Sequence, residues 1–322
     1  MRATAIAHPN IALIKYWGKR DDGNNLPAVG SLSITLDALR SRTTVEFADR
    51  QDADTVLLNG QPDAETSRRV TACLDLLRRR ADTRQAALVE TDNDFPTGAG
   101  LASSASGFAA LVTAAAAALG LKLPATELAE VARIGSGSAP RSLFGGFALL
   151  RNLPGGGVSC GPWLAPQDWP LKVVIAVTST VPKNVSSRDG MAQSRETSPF
   201  YAEWVRSHDA ELVSGMDLVR RRDFAGLADL AEHNCLKMHA VMMATRPPLL
   251  YWAPATFACI HVIHELRLAG TPVFFTVDAG PQVKAVCLPA AAPAVRAALA
   301  AVPGVSRIIE SGLGAGAHLA DG

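Results

Sequence analysis

The stretch Asp92 to Leu121, DNDFPTGAGLASSASGFAALVTAAAAALGL, places the tightest constraint on this chain. It joins a polar entry, a turn built on Pro96, Gly98 and Gly100, the pair Ser103-Ser104 and a long Ala-rich apolar run. That order reads as a loop feeding a helix. Glycines let the backbone approach a ligand, and the free N–H groups at the helix start, at the positive end of its dipole, attract an anion. Phosphate suits such a site, because the two hydroxyls can donate to its oxygens or one can reach a bound Mg²⁺. The loop is therefore expected to hold a nucleotide. It is not a Walker A motif, since no GK[ST] closes it, and it lacks the third glycine of the dinucleotide fingerprint. The plainer alternative is an ordinary turn capping a buried helix. Gly98 to Leu121 is uncharged and long enough to cross a bilayer, but Ala, Gly and Ser dominate it rather than Leu, Ile and Phe, so we read it as packed under a sheet.

At 322 residues, 48% hydrophobic and 19% charged, the chain can bury a substantial core and is of a size at which cores divide into two lobes. Thirty-one basic residues against 30 acidic ones give a net charge of +1, which argues against nucleic acid or an anionic membrane as a main partner. Any anionic ligand must meet cations placed locally. The five cysteines (73, 160, 235, 259 and 287) are scattered, without a CxxC pair or a histidine at zinc spacing, and read as reduced core residues. The apolar run before His8 is too short for a signal peptide, so a cytoplasmic location is expected.

Taken in order, Ala3 to Ala7, Ile11 to Trp17, Leu26 to Leu36, Thr43 to Phe47 and Thr55 to Leu58 read as strands. Lys15, Lys19 and Arg20, with Tyr16 and Trp17 among them, suggest a lined anionic pocket at a strand end. Ala64 to Arg80 has helical spacing and ends in Arg78-Arg79-Arg80, read as a solvated terminus. A strand at Ala86 to Glu90 and a helix at Pro124 to Ile134 precede a second small-residue turn, Gly135 to Ser142, in which Arg141 can present its planar fork to a carboxylate or phosphate. The Gly-, Pro- and Trp-rich segment 151 to 170 marks the lobe boundary, giving lobes over 1–165 and 166–322. Beyond it come a buried strand at Leu171 to Val177, a polar loop from Thr178 to Met191, and helices at Phe200 to Arg221, Phe224 to Lys237 and Ala255 to Leu268. His261 and His264 fall on the outer face of the last of these. The strand Pro272 to Val277 ends in Asp278-Ala279-Gly280-Pro281, which puts one carboxylate above a tight turn. A strand at Val283 to Cys287, a helix at Pro293 to Ala301 and a strand at Val305 to Ile309 follow, and the glycine-rich tail from Ser311 reads as loop.

Several of these segments together carry a family resemblance. PTGAGLASSAS (Pro96 to Ser106) resembles the phosphate loop of the superfamily of galactose, homoserine, mevalonate and phosphomevalonate kinases. NIALIKYWGKRD (Asn10 to Asp21), SGSAPRSLFGG (Ser136 to Gly146), VSSRDGM (Val185 to Met191), HNCLKMHA (His233 to Ala240) and VDAGP (Val277 to Pro281) are similar to its decarboxylase branch, the diphosphomevalonate decarboxylase family. The resemblance covers essentially the whole chain. It implies an α+β fold of two lobes, the first like ribosomal protein S5 and the second ferredoxin-like. ATP and Mg²⁺ would bind between them, with mevalonate 5-diphosphate as substrate and a homodimer as the assembly.

Residue by residue, the resemblance implies that Asp278 orients or deprotonates the 3-hydroxyl, Arg141 holds the C1 carboxylate and Lys15 lies near the reacting centre. Tyr16, Trp17, Gly18, Lys19, Arg69, Ser136, Gly137, Ser138, Ala139, Pro140, Ser187 and Arg188 fall on substrate positions. Gly98, Ala99, Gly100, Leu101, Ala102, Ser103 and Ser104 fall on the nucleotide, with Ser104 also at the metal. Four positions depart from the family pattern: Pro140 for the more usual Cys, Gly30 for a polar residue, Gln282 for Asn and Gly98 for Ala. Pro140 would lose an N–H beside the substrate, which leaves the monophosphate open as the true substrate. A plain kinase and a catalytically silent ligand sensor on the same fold are the other readings.

Overall fold

The computed structural model describes residues 1–48, 53–95, 101–181 and 183–320. Most of the phosphate-type turn, including Gly98, Ala99 and Gly100, lies outside them.

A six-stranded sheet runs in the order His318–Leu319, Arg2–Ala7, Ser41–Ala48, Ala86–Asn93, Thr55–Leu58, Gln61–Pro62. Its only parallel pair among the described residues, Thr55–Leu58 with Ala86–Asn93, is joined by the helix Ala64–Ala81, as a parallel neighbour requires. Alternation along Ser41–Ala48 turns Val45 and Phe47 inward, and the helix Ser103–Ala118 packs against them. This helix is apolar all round and eleven of its residues are buried. Its alanines meet Ala5, Ala7 and Ala87 of the sheet, so the small side chains permit a close helix-to-sheet approach, and full burial explains the missing polar face. No helix among the described residues is long and apolar enough to cross a membrane.

A second sheet is ordered Val158–Leu164, Phe147–Asn152, Ser31–Thr35, Asn10–Ile14. A third is antiparallel, ordered Val273–Val277, Val283–Cys287, Lys172–Val177, Arg307–Ser311. In chain order that is 2-3-1-4, with helices inserted after the first and third strands, which is the ferredoxin-like arrangement. One face of the third sheet, with Val174, Phe275 and Ala285, packs on the helices Pro254–Leu268 and Ala292–Ala300. The opposite face contributes Ile175, Phe274 and Val286 to a core shared with Ile11, Leu13, Ile34 and Phe147 of the second sheet. A continuous apolar layer therefore joins the two lobes and fixes what lies between them.

Five sequence expectations are corrected. The strand expected to reach Trp17 ends at Ile14, after a register shift following Ala12. The strand expected over Leu26 to Leu36 is two, Leu26–Pro27 and Ser31–Thr35, broken next to Gly30, where a Cβ would lie 2.4 Å from a Leu212 methyl. The polar loop becomes helical from Ser187 to Thr197, capped by Ser186, whose hydroxyl accepts the Asp189 N–H at 3.2 Å. That helix buries only Gly190, Met191 and Ser194, so it shows no apolar periodicity to read. Arg78 is not solvated, because it lies buried between Asp54 and Asp75. The tail is not all loop, since His318–Leu319 returns to the edge of the first sheet. Gly314 and Gly316 make that return possible, a Cβ on either falling within 2.3 Å of a backbone carbonyl oxygen.

Candidate active site

The end of the strand Asn10–Ile14 supplies the first chemistry. The Lys15 N–H donates to Asn234 Oδ1 at 2.7 Å instead of continuing the ladder, which lifts Lys15 to Gly18 out of the sheet. Asn234 in turn donates to Glu211 Oε2 at 2.6 Å, and Glu211 is paired with Lys237. Trp17 is buried, with its indole N–H donating to Ser194 Oγ at 3.1 Å and its carbonyl accepting from Trp204 Nε1 at 2.9 Å. Lys15 is thus aimed by a scaffold from the helices Tyr201–Arg221 and Phe224–Met243.

Lys15 Nζ donates to Asp278 Oδ1 at 2.6 Å. Lys284 Nζ lies 3.1 Å from the other oxygen, Oδ2. Both lysines are at most 2% exposed. Burial pushes the Asp278 carboxyl upward, but the two ammonium groups outweigh it, Lys15 first and Lys284 second, and hold the acid well below the usual carboxylate range. Asp278 is therefore an anion at any physiological pH.

Asp278 sits in a cleft of about 740 Å³. Lys15, Lys19, Arg68, Arg69, Arg141, Lys183 and Arg188 line it, against Asp63 and Asp278 as the acids among the described lining residues. Such a surplus of cations selects an anionic, multiply charged ligand. Burial, reinforced by Arg188, lowers the Lys19 ammonium to about 8. Burial likewise lowers Lys183 to about 8, although Asp278 opposes it. Lys183 Nζ donates to Ser187 Oγ at 2.7 Å and to the Ala279 carbonyl at 3.2 Å, so it ties the start of the helix Ser187–Thr197 to the turn after Asp278.

Arg141 is carried by a one-turn 3-10 helix, Ala139–Leu143, and is 4% exposed. One Nη donates to Ser31 Oγ, and the guanidinium lies 5.9 Å from the centre of the Tyr16 ring. Its Nε, the Tyr16 hydroxyl and Asn10 Oδ1 are buried without a hydrogen-bond partner among the described residues. All three residues line the cleft, and unspent buried polar atoms there are suited to meet polar groups of a ligand. Asn10 Nδ2 donates to Ser142 Oγ at 2.8 Å and to the Ser138 carbonyl at 3.2 Å, holding the Arg141 turn in place. Glycine at 137 leaves room for Tyr16, because a Cβ there would lie 2.3 Å from the Tyr16 oxygen and force the ring to shift.

At the other end of the cleft, the helix Ser103–Ala118 begins after Ala102, whose φ of 58° is left-handed, and its first turn has neither a side-chain cap nor an acid. Ala102, Ser103 and Ser104 line the cleft there, with Val56, Leu58 and Val70 forming an apolar wall beyond them. No group of three or more His, Cys, Asp or Glu side chains able to hold a metal occurs among the described residues. The donors at this end are hydroxyls, with Ser104 Oγ 3.4 Å from Ser136 Oγ. That set fits Mg²⁺, which keeps waters and takes most of its remaining ligands from a substrate's phosphates.

The cleft therefore gathers Lys15, Tyr16, Trp17, Lys19, Arg69, Ala102, Ser103, Ser104, Ser136, Gly137, Ser138, Arg141, Ser187, Arg188 and Asp278 from distant parts of the chain. Four expected site residues do not line it. Gly18 (φ +98°) packs against Tyr201, where a Cβ would lie 2.1 Å from the phenol oxygen, and Leu101 is buried in the inter-lobe core. Ala139 is a core residue. Pro140 faces a separate cavity beside Cys160 and Arg133. Pro140 occupies the first turn of its 3-10 helix, where no N–H is called for, so the expected loss of a donor beside the ligand does not arise. Gln282 is also buried: its Oε1 accepts from the Thr178 N–H at 2.8 Å, bracing the segment after Val177. Sequence reasoning missed Asn10, Arg68, Lys183 and Lys284 as cleft or carboxylate neighbours. For Lys284 a signal existed, a lone charge in the apolar strand VKAVC.

Two lobes, a helix N-terminus opening on a basic cleft and a strand-end carboxylate define the fold of the small-molecule kinases named above. Residues 7–155 match the diphosphomevalonate decarboxylase-like N-terminal domain, and residues 173–311 the mevalonate 5-diphosphate decarboxylase C-terminal domain. Diphosphomevalonate decarboxylase mvd1 of Aspergillus fumigatus is 39% identical over 304 residues, covering 87% of this chain and 75% of its own. A structure described as MDDEF in complex with MVAPP, AMPPCP and magnesium superposes with a TM-score of 0.91 at 38% identity, covering 100% of this chain and 99% of that one. The mevalonate diphosphate decarboxylase from Enterococcus faecalis, in a structure addressing mevalonate diphosphate mediated ATP binding, gives 0.90 at 37%, with coverage of 100% and 99%. The chain belongs to the diphosphomevalonate decarboxylase family.

Proposed function

We propose that the protein catalyses the ATP-dependent decarboxylation of mevalonate 5-diphosphate to isopentenyl diphosphate, releasing ADP, phosphate and CO₂. The observation that carries this reading is Asp278, held ionised between two buried lysines at one end of a strongly basic cleft whose other end is the start of a helix. Its support from relatives is family membership and the complex described with MVAPP, AMPPCP and magnesium.

In this reading Lys19, Arg69 and Arg188 take the substrate's diphosphate, Arg141 takes its C1 carboxylate with a two-pronged hydrogen bond, and Ser103 and Ser104 take the nucleotide phosphates. Mg²⁺, held by Ser104 and phosphate oxygens, would offset phosphate charge. Asp278 accepts the hydrogen bond of the 3-hydroxyl and aims its oxygen. Two lysines make the carboxylate a poor base, so it orients the nucleophile and takes the proton only as the new O–P bond forms, as a loose phosphoryl-transfer transition state allows. The phosphorylated 3-oxygen then leaves with its bonding pair. The C1–C2 pair becomes the C2=C3 double bond and C1 departs as CO₂. Cations around the departing phosphate and an anion near the developing positive carbon stabilise the charges that form.

Incubating the protein with ATP, Mg²⁺ and mevalonate 5-diphosphate should release ADP, phosphate and CO₂ in equal amounts; ADP without CO₂ would refute the reading. Asp278→Asn should abolish turnover while ATP binding, followed by fluorescence titration, stays near that of the parent. Pro140 lies away from the cleft and so gives no reason to favour the monophosphate substrate, and the same assay compares the two directly. A homodimer and a cytoplasmic location belong to this proposal on the strength of the family resemblance; sedimentation and cell fractionation test them.

A further inference from the structure

Lys284 stands where an apolar side chain belongs. All five residues of its strand are buried, and its Cα is paired with Ile175 on one side and Thr276 on the other. On that face the third sheet turns toward the other lobe, with Thr276 Oγ1 donating to the Ala12 carbonyl at 3.4 Å. From there Lys284 Nζ reaches Asp278 Oδ2 at 3.1 Å, while Lys15, from the N-terminal segment, takes Oδ1 at 2.6 Å. The two oxygens of one carboxylate are thus held by two lysines from different lobes.

We infer that Lys284 is a positioning residue for the proposed reaction, pinning the second oxygen of Asp278 so that the carboxylate presents a fixed lone pair to the substrate hydroxyl. The inference rests on the role given to Asp278 above. A carboxylate held through one oxygen can swing about its last side-chain bond, whereas one held through both cannot, and its free lone pairs then point in set directions. Fold stability does not call for a second lysine. Lys15 alone neutralises Asp278, and a further buried ammonium adds desolvation and repels the first. Accordingly burial, and then Lys15, push the Lys284 ammonium down, with Asp278 opposing them. Other polar or charged groups of the described residues felt at this centre include Lys183, Arg141, Cys235 and His239. Burial drives the His239 imidazole down to about 3, so it is neutral there. Among the described residues these neighbours add cations, and the carboxylate that Lys284 meets is Asp278, whose geometry it can therefore set.

The test compares the full-length parent with Lys284→Met, which keeps the stem and removes the charge, and with Lys284→Arg. Turnover of mevalonate 5-diphosphate, substrate affinity by calorimetry and thermal midpoint are measured for each. The inference expects kcat of Lys284→Met to fall about 100-fold, the loss that small misplacement of a reacting group brings. KM and calorimetric affinity should stay within about twofold of the parent, and the thermal midpoint should hold or rise. Lys284→Arg should recover part of kcat. A kcat within about twofold of the parent overturns the inference, as does a loss that tracks a falling thermal midpoint, because that marks a structural residue. A parent that binds substrate but releases no CO₂ overturns the function reading and this inference with it. An active parent with an unimpaired Lys284→Met overturns this inference alone.

Discussion

Arg141→Met removes a guanidinium that is 4% exposed and, among the described residues, has no carboxylate within ion-pair distance. Burial pushes its pKa down, so the charge is held in a place the fold does not favour. Methionine keeps much of the stem's packing against Tyr16 and leaves no Nε to satisfy, a relief of about 1–3 kcal/mol. The hydrogen bond lost to Ser31 Oγ offsets roughly 1 kcal/mol of that gain. A net stabilisation of up to about 2 kcal/mol should raise the thermal midpoint by up to roughly 3 °C in a chain of this size. Function should move the opposite way. Losing a charge-assisted, two-pronged grip on the substrate carboxylate costs about 1.5–3 kcal/mol, or roughly 10- to 150-fold in kcat/KM. Ligand-induced stabilisation gives a second readout: at a concentration about 100 times the parent's Kd, the substrate should stabilise the parent by about 2.7 kcal/mol and the variant by less than half of that. Differential scanning calorimetry with and without mevalonate 5-diphosphate, alongside a coupled ADP assay, measures both. A thermal midpoint lowered by more than about 2 °C together with kcat/KM within threefold of the parent would show Arg141 to be a structural residue and refute the reasoning.

Three further outcomes follow from the same geometry. Lys19 and Lys183 have ammonium groups lowered to about 8 in the folded protein, so kcat/KM should fall as pH rises through that value and the cations facing the anionic substrate are lost. The unfolded chain binds more protons than the fold between about 8 and the ordinary lysine range, so stability should rise over that window while kcat/KM falls; a flat kcat/KM up to about pH 10 contradicts this. Gly137→Ala places a Cβ 2.3 Å from the Tyr16 oxygen, so Tyr16 must shift, and substrate KM should rise at least tenfold with about 1–3 kcal/mol of destabilisation in a denaturant titration. Arg78→Ala strands Asp54 in a largely buried site and should destabilise the fold by about 3–5 kcal/mol, whereas the exposed neighbour Arg79→Ala should change it by less than about 0.5 kcal/mol.

How far the sequence could be read depended on whether the information was periodic or only three-dimensional. The helix Ala64–Ala81 announced itself because one face is apolar, and in Pro254–Leu268 the spacing placed His261 and His264 outward, where they are exposed. The helix Ser187–Thr197 did not, because a helix exposed on most sides has no stripe to detect. The departure of Lys15 from its strand was illegible for another reason. It depends on the amide of Asn234, more than 200 positions away, taking the N–H that a ladder would have used. In Arg78-Arg79-Arg80 the spacing correctly gave a helix end, but the Asp54 that buries one arginine is a tertiary partner. The site motifs located most of the cleft, yet they could not separate residues that face it from those that carry them. Ala139 and Pro140 sit beside Arg141 in sequence and turn away from the cleft in space, because a 3-10 turn sends successive side chains in different directions.

The same observations explain why so much positive charge is buried at this cleft. Lys15, Lys284 and Arg141 are each at most 4% exposed, and Asp278 is the only carboxylate that any of them reaches among the described residues. Without ligand the arrangement opposes folding, through desolvation and mutual repulsion. A substrate that brings a diphosphate and a carboxylate, together with a nucleotide triphosphate, supplies the missing anions. The binding energy then comes partly from relieving the cleft. The donors are already fixed and dry when the transferred phosphate begins to carry charge away from the 3-carbon, so little reorganisation is left for the reaction itself. In such a site Asp278 contributes by direction more than by basicity. Among the described residues it is the carboxylate that these buried cations hold, placed where the hydroxyl must point, and its basicity is suppressed by the same lysines that hold it there. Neutralising Asp278 should therefore harm catalysis more than binding, while neutralising Arg141 should harm both.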